Sequence, residues 1–298
     1  MPELPEVETI KLGLQKYLVG YKILNLEIKD RKLFEGEAGN VIGARITGIR
    51  RFGKGLIIDL DNDYSIAVHV KLTGQLVFRG KNTKNLPVAK PITSVLPNKF
   101  TRAIFYLDKD SFLYFNDVRR FAWMKILRTE EVKKLPFFKE LGPEPPVAAS
   151  IGVQPLTLEL FSKIINSSNS SIKVLLMDQK KIGGIGNIYA NDALFDAGIS
   201  PKRPAKSLSK EEIKTLYNSL IKVLKRGLKY HGASDMNFVD ILGQAGEYQQ
   251  HFLVYRRKGQ RCKRSGRRSE SSARQGDHII QKIFLGGRGT FYCSLCQK

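Results

Sequence analysis

The residue pattern predicts an α+β protein, with strands in its first half and helices in its second. Three observations carry this: one amphipathic stripe at the N-terminus, short apolar runs separated by regular turns from about residue 20 to 128, and helical periodicity beyond residue 150. A chain of 298 residues is long for a single core, so two domains are expected.

The opening helix is predicted from Pro5 near its start and from Val7, Ile10, Leu14 and Leu18 on one stripe. Next, Lys54 to Leu60 runs into the turn Asp61-Asn62-Asp63 and returns as Tyr64 to His69, a hairpin. A second hairpin runs from Phe100 to Leu107, turns around Asp108-Lys109-Asp110, and returns from Phe112 to Phe115. Several such strands suggest a β-sandwich or a barrel. Leu141-Gly142-Pro143-Glu144-Pro145-Pro146 is a stiff extended stretch and marks the domain boundary. We therefore read 1–135 as the N-terminal domain, 136–150 as a linker, 151–250 as a helical domain and 251–298 as a C-terminal hairpin module. Ser209 to Glu212 forms a capping box ahead of Ile213, Leu216, Tyr217, Leu220 and Leu224 at helical spacing.

Charge narrows the partner. Lys and Arg number 50 against 28 Asp and Glu, a formal net charge of +22. Such a field attracts polyanions, because each neutralised phosphate releases counterions. By itself it fits DNA, RNA or an acidic membrane surface. No apolar run approaches a membrane span and the N-terminus lacks the regions of a signal peptide. The three cysteines, Cys262, Cys293 and Cys296, cluster near the C-terminus. An odd, clustered set points to a metal site in a reducing compartment rather than to disulfides, so a cytoplasmic location is expected. Arg256 to Arg268 holds eight basic residues and no acidic one, and the polar run 269–276 follows.

The first eight residues read Met1-Pro2-Glu3-Leu4-Pro5-Glu6-Val7-Glu8. Removal of Met1 would free Pro2 as a secondary amine, and an α-amino group titrates near roughly 8, far below lysine. Such an amine can attack a sugar C1′, with Glu3 beside it as an acid. The other reading is structural: two prolines start a helix and three glutamates favour its dipole. Elsewhere, Gly183-Gly184-Ile185-Gly186 is a glycine-rich turn leading into a helix near Asn187, where backbone N–H groups can bind phosphate.

This opening, placed directly after the initiator methionine, resembles that of formamidopyrimidine-DNA glycosylases, and the resemblance covers nearly the whole chain. It implies a β-sandwich joined to a helix–two-turn–helix domain and a zinc-finger hairpin, with DNA in a basic cleft between domains. It implies Pro2 as nucleophile, Glu3 as general acid, Glu6 as a supporting glutamate and Lys54 as a lysine holding phosphate near the lesion. His69, in His69-Val70-Lys71-Leu72-Thr73-Gly74, matches a phosphate-binding histidine. Leu72 stands where the family has a methionine that fills the gap left by the flipped base; leucine is close in volume. In Asn116-Asp117-Val118-Arg119-Arg120-Phe121, Arg119 and Phe121 match the arginine and the aromatic wedge of the second insertion element. Asn187 matches a phosphate-binding asparagine, Lys173 a lysine near the damaged base, and Arg288 the arginine at the finger tip. The family's Tyr-Ala-Asp-Glu or Tyr-Ala-Ser-Glu is here Tyr189-Ala190-Asn191-Asp192.

The finger departs from the pattern. The family pairs two Cys-x2-Cys units around one tetrahedral zinc. Here Cys262, Cys293 and Cys296 match, but the second ligand position is Ser265, a poor zinc ligand, and the loop 266–292 exceeds the roughly 15–20 residues of that spacing. Three arrangements are open: His278 as fourth ligand, three cysteines with a water, or a zincless hairpin.

The expected function is a bifunctional DNA glycosylase and AP lyase that excises oxidised purines (8-oxoguanine, formamidopyrimidines) from duplex DNA. It would act as a monomer, through a Pro2 Schiff base and β,δ-elimination. An endonuclease VIII-like preference for oxidised pyrimidines and a non-catalytic damaged-DNA binder are the alternatives. Residues 233–250 are expected to include the base-recognition loop.

Overall fold

The computed structural model describes residues 1–83, 86, 95–148, 152–235, 237–264 and 278–298. The expected position of Ser265, the polar run 269–276 and the end of the basic run lie outside the described residues.

Helix α1 spans Leu4–Leu18 and buries Val7, Ile10, Leu14 and Leu18, the predicted stripe. It packs against two antiparallel-rich sheets. The first has the order β1 (Ile23–Ile28), β7 (Thr101–Leu107), β8 (Ser111–Asp117), β6 (Gly74–Arg79). The second has the order β2 (Phe34–Glu35), β9 (Trp123–Arg128), β5 (Tyr64–His69), β4 (Gly55–Leu60), β3 (Ile46–Phe52). Both predicted hairpins are present, as β4–β5 and β7–β8. One core joins α1 to both sheets: Leu76, Phe105 and Phe115 from one, Leu56, Ile58, Val68 and Met124 from the other. The strands supply this core by alternation, since successive side chains point to opposite faces. The arrangement is the expected sandwich.

The span read as a linker begins with structure: Pro136–Lys139 is a short helix with proline at its first turn. Chain contacts divide the molecule into two compact units, one of Met1–Leu141, Ser150–Gly152 and Gly227–Gln249, the other of Gly142–Ala149, Val153–Arg226 and Gln250–Lys298. The segment 227–249 thus groups with the first unit. There Phe238 and Ile241 enter its core, and the Phe78 N–H donates to the Ile241 carbonyl at 2.7 Å.

The second unit holds helices Leu158–Asn166, Ile172–Met177 and Asn187–Ala197 and most of the helix Lys210–Lys229, whose last residues pass the segment end at Arg226. The last three lie where the glycine-rich turn and the capping box place helices. The Ser209–Glu212 capping box forms, with the Ser209 N–H donating to the Glu212 carboxylate at 2.8 Å and the Glu212 N–H to Ser209 Oγ at 3.2 Å. Between Met177 and Asn187, Gln179 organises the turns: its amide donates to the Met177 and Ile185 carbonyls and accepts the Gly184 N–H. The chain ends in a hairpin of β10 (Gln281–Leu285) and β11 (Arg288–Tyr292). Among the described residues, no helix is long and apolar enough to cross a membrane.

Candidate active site

Pro2 and Glu3 lie buried at the mouth of α1, Glu3 in extended backbone as the helix cap. The Glu6 carboxylate fixes this corner from two sides. One oxygen accepts the Glu3 N–H at 2.8 Å, and the other accepts the Ala233 N–H at 2.7 Å, from the returning segment 227–249. Sequence reasoning placed Glu6 as a support, and here it ties the helix start to a stretch more than 220 residues away. Two residues on, Glu8 makes a buried pair with Arg51 at 2.7 Å, and Arg51 also donates to the Gly53 carbonyl at 3.0 Å. Neither residue was singled out from sequence, because a long-range pair has no local signature. Gly53 has φ +57°, the left-handed region glycine tolerates, and it turns the chain so that Lys54 follows as a buried residue.

His69, at the end of β5, is buried and packs edge-on against Phe137 at 4.7 Å. Burial pushes its pKa down to about 3, helped by the nearby Lys71 and Lys54 charges. Its Nδ1 accepts the Lys71 N–H at 3.0 Å, so the neutral ring carries its proton on Nε2. A neutral ring with an Nε2–H is a donor suited to a phosphate oxygen.

Leu72 follows on a tight loop with Lys71 at φ +49°, and is half-buried. Arg119 and Phe121 sit on the loop after β8, both exposed, Phe121 at 54%. The Arg119 guanidinium lies 4.8 Å from the Phe121 ring centre. Beneath both loops is Asp117, a residue sequence reasoning passed over although it lies within the predicted insertion element. Its carboxylate accepts the N–H groups of Arg119 (3.2 Å), Phe121 (2.8 Å) and Ala122 (2.8 Å), and the Thr73 hydroxyl.

In the second unit the predicted residues converge on one strand. Lys173 donates to the Thr290 hydroxyl at 2.7 Å and the Gly289 carbonyl at 3.3 Å; Asn187 donates to the same carbonyl at 3.1 Å. Asn191, another residue not anticipated, accepts the Phe291 N–H at 2.7 Å. Lys173 was expected near a damaged base. Here its side chain is buried beneath β11, where the Gly289 carbonyl and the Thr290 hydroxyl offer the acceptors an ammonium needs. Arg288 is exposed at the hairpin tip.

Cys262, His278, Cys293 and Cys296 bring their ligand atoms within 4.8 Å of one another. Cys262 Sγ lies 3.7 Å from Cys296 Sγ, and His278 Nδ1 lies 3.1 Å and 3.9 Å from the sulfurs of Cys296 and Cys293. Zinc–sulfur bonds near 2.3 Å give tetrahedral edges of about 3.8 Å, so the donor set fits such an ion. Burial raises the Cys262 thiol and pushes Cys296, crowded by its two cysteine neighbours, up to about 12. Among the three arrangements left open, the geometry brings His278 to the fourth position.

Comparison with known proteins agrees with this geometry. Residues 1–124 match the formamidopyrimidine-DNA glycosylase N-terminal domain model, and residues 141–238 match the family's H2TH domain model. A formamidopyrimidine-DNA glycosylase of Desulforamulus reducens is 34% identical, over 100% of this chain and 99% of its own. A Lactococcus lactis FPG variant in complex with Fapy-dG containing DNA aligns over the whole of both chains with a TM-score of 0.82 at 29% identity. MutM in complex with carbocyclic 8-oxo-G containing DNA does so with a TM-score of 0.81 at 30% identity. With both family models matched and relatives similar from end to end, this chain belongs to the formamidopyrimidine-DNA glycosylase family.

Proposed function

We propose that the chain is a bifunctional DNA glycosylase and AP lyase of base excision repair, that oxidised purines in duplex DNA are its substrates, and that Pro2 and Glu3 carry the chemistry. The observation that supports this most is the Glu6 carboxylate, which holds the Glu3 backbone and the 227–249 segment in one fixed corner. A nucleophile and acid held in place need no reorganisation when the sugar arrives. The solved relatives' oxidised-purine ligands, Fapy-dG and carbocyclic 8-oxo-G, support the substrate class.

In this reading, removal of Met1 exposes the Pro2 nitrogen. Its lone pair forms a bond to C1′ as the glycosidic C1′–N bond breaks. The electron pair leaves with the base, which takes up the proton released from the Pro2 nitrogen, and Glu3 protonates O4′ as the C1′–O4′ bond breaks and the iminium forms. The iminium acidifies the C2′ hydrogens, so β-elimination expels the 3′ phosphate and δ-elimination the 5′ phosphate. Water then hydrolyses the iminium and returns the amine. Lys54, His69, Asn187 and Arg288 would hold phosphates, with His69 donating from Nε2. Leu72, Arg119 and Phe121 would fill the space of the extruded base, paying the unstacking cost with new contacts. Lys173, buried against Gly289 and Thr290, would support the hairpin rather than meet the base.

Zinc is the ion proposed for Cys262, His278, Cys293 and Cys296. It would supply structural cross-linking of the hairpin base and no step of the reaction.

Borohydride trapping tests the reading, on duplexes carrying 8-oxoguanine opposite cytosine or thymine glycol. A covalent adduct on the first, with base excision greatly reduced by Glu3→Gln, is expected. An adduct on thymine glycol alone would move the substrate to oxidised pyrimidines. No adduct on either lesion or on an abasic site would refute the catalytic assignment.

A further inference from the structure

We infer that Asp117 is a positioning residue that locks the loops carrying Leu72, Arg119 and Phe121 into a single wedge, so that the three side chains enter a vacated base position as one body. This rests on the glycosylase reading above.

Asp117 is 1% exposed at the end of β8, in register with Gly74 at the start of β6. A buried carboxylate is costly unless its acceptor sites are filled. Here both loops fill them. Oδ1 receives the Thr73 hydroxyl from the first loop and the Arg119 N–H from the second, and Oδ2 receives the Phe121 and Ala122 N–H groups. Thr73 closes the link, since its oxygen also accepts the Arg119 N–H at 3.0 Å. The hydroxyl therefore donates to the shared carboxylate and accepts from the opposite loop.

Two independent features point the same way. A Cβ placed on Gly74 would lie 2.4 Å from the Val70 carbonyl oxygen and 3.0 Å from Ala122 Cβ, so the loops touch where only glycine fits. Each loop also holds a non-glycine residue in the left-handed region, Lys71 at φ +49° and Arg120 at φ +56°, a conformation that needs outside support. Arg120 receives it from Asp30, which accepts two of its N–H groups at 2.7 and 3.1 Å. That clamp turns Arg120 away to Asp30, while Arg119 and Phe121 stay exposed together. A buried frame thus carries exposed working side chains, and a wedge fixed beforehand loses less entropy on insertion than two separate loops.

The test is single-turnover excision of 8-oxoguanine from a duplex, set beside borohydride trapping at a preformed abasic site in a single strand, which has no gap to fill. Thr73→Val removes the cross-loop hydroxyl. It is expected to slow duplex excision roughly ten- to hundredfold, the scale of one hydrogen bond to a charged group. Single-strand trapping should stay within about twofold, and Thr73→Ser should restore excision. Asp117→Asn, which sets a donor against donors, should slow excision further. Leu72→Ala and Phe121→Ala should be non-additive in the wild-type background and additive with Thr73→Val. Equal losses on both substrates, no loss at all, or additivity in the wild type would each overturn the proposal. A wild-type protein inactive on both substrates would instead defeat the glycosylase reading on which it stands.

Discussion

At the start of α1, the buried carboxylates find their donors in the chain itself: Glu6 in the Glu3 and Ala233 N–H groups, Glu8 in Arg51 and Lys11. At the base of the C-terminal hairpin, three thiols and an imidazole face one another instead, and burial with crowding drives the Cys262 and Cys296 thiols upward. The first region is electrostatically complete as protein. The second gathers groups that repel one another's ionised forms, and a divalent cation reverses that by favouring thiolates. One is a site preorganised by hydrogen bonds; the other is a donor set whose order, if the zinc proposal holds, depends on the ion.

The largest effect expected from breaking this contrast is at Glu3. Glu3→Gln keeps the shape and backbone of the corner but removes its acid. Base excision should fall by about 10²–10⁴-fold, the usual contribution of general acid catalysis, in single-turnover assays. Schiff-base trapping at a preformed abasic site should persist, because there the base has already gone. If both activities fell together, Glu3 would be holding the corner rather than acting in it.

The finger is tested next, by His278→Ala and by chelation. Metal analysis of the purified protein should find about one zinc per chain, and His278→Ala should weaken its retention by at least roughly tenfold, as expected for a lost ligand in a closed site. Chelation should raise hydrogen exchange in β10 and β11 while leaving α1 protected. Equal retention of zinc by the variant would remove His278 from the ligand set, and exchange rising equally in α1 would erase the distinction between the two regions.

His69 sharpens the comparison through pH. Its folded pKa of about 3 lies below the ordinary 6.5, so the unfolded chain binds the proton more readily. The stability gained from burying a neutral ring is intact above 6.5 and declines as pH falls toward 3. At pH 5 the loss is about 2 kcal/mol. Urea unfolding of wild type and His69→Gln at pH 7 and pH 5 should show a smaller decline for the variant by about that amount. Parallel declines would mean that other groups set the acid sensitivity.

What the sequence made legible divides along the same physical line. The β4–β5 and β7–β8 hairpins were readable because alternation and turn residues are local signals. Pro2, Glu3 and Glu6 stood out as candidates because their position in the chain is itself informative. Asp117, the Glu8–Arg51 pair and Asn191 were not. Their importance lies in partners brought together by folding: Asp117 reaches back 44 residues to Thr73, and Asn191 reaches 100 ahead to Phe291. The Asn116-Asp117 step before an exposed Arg-Arg-Phe was the one available cue, since a short acidic side chain commonly caps the N–H groups of its own turn. Lys173 shows the converse. Its motif was legible, but its burial under Gly289 and Thr290 depends on a hairpin 116 residues away.

The smallest effect is expected at the hairpin tip. Arg288 is exposed, and the carbonyl of its neighbour Gly289 is held by both Lys173 and Asn187, so the arginine projects from a fixed base. Its proposed work is one phosphate contact. Arg288→Ala should therefore weaken binding to undamaged and damaged duplexes alike, and reduce the slope of log K against log salt by about 0.9, the counterion released at one phosphate. Fluorescence anisotropy between low and physiological salt measures both quantities. A slope unchanged by the substitution would mean that the tip makes no phosphate contact, and the finger would then be a support for the strand start alone. A loss confined to lesion-containing duplexes would instead place Arg288 with the wedge residues, as a reader of distorted DNA. A uniform loss with the smaller slope would assign the C-terminal hairpin to grip, and leave discrimination to the hydrogen-bonded loops of the N-terminal unit.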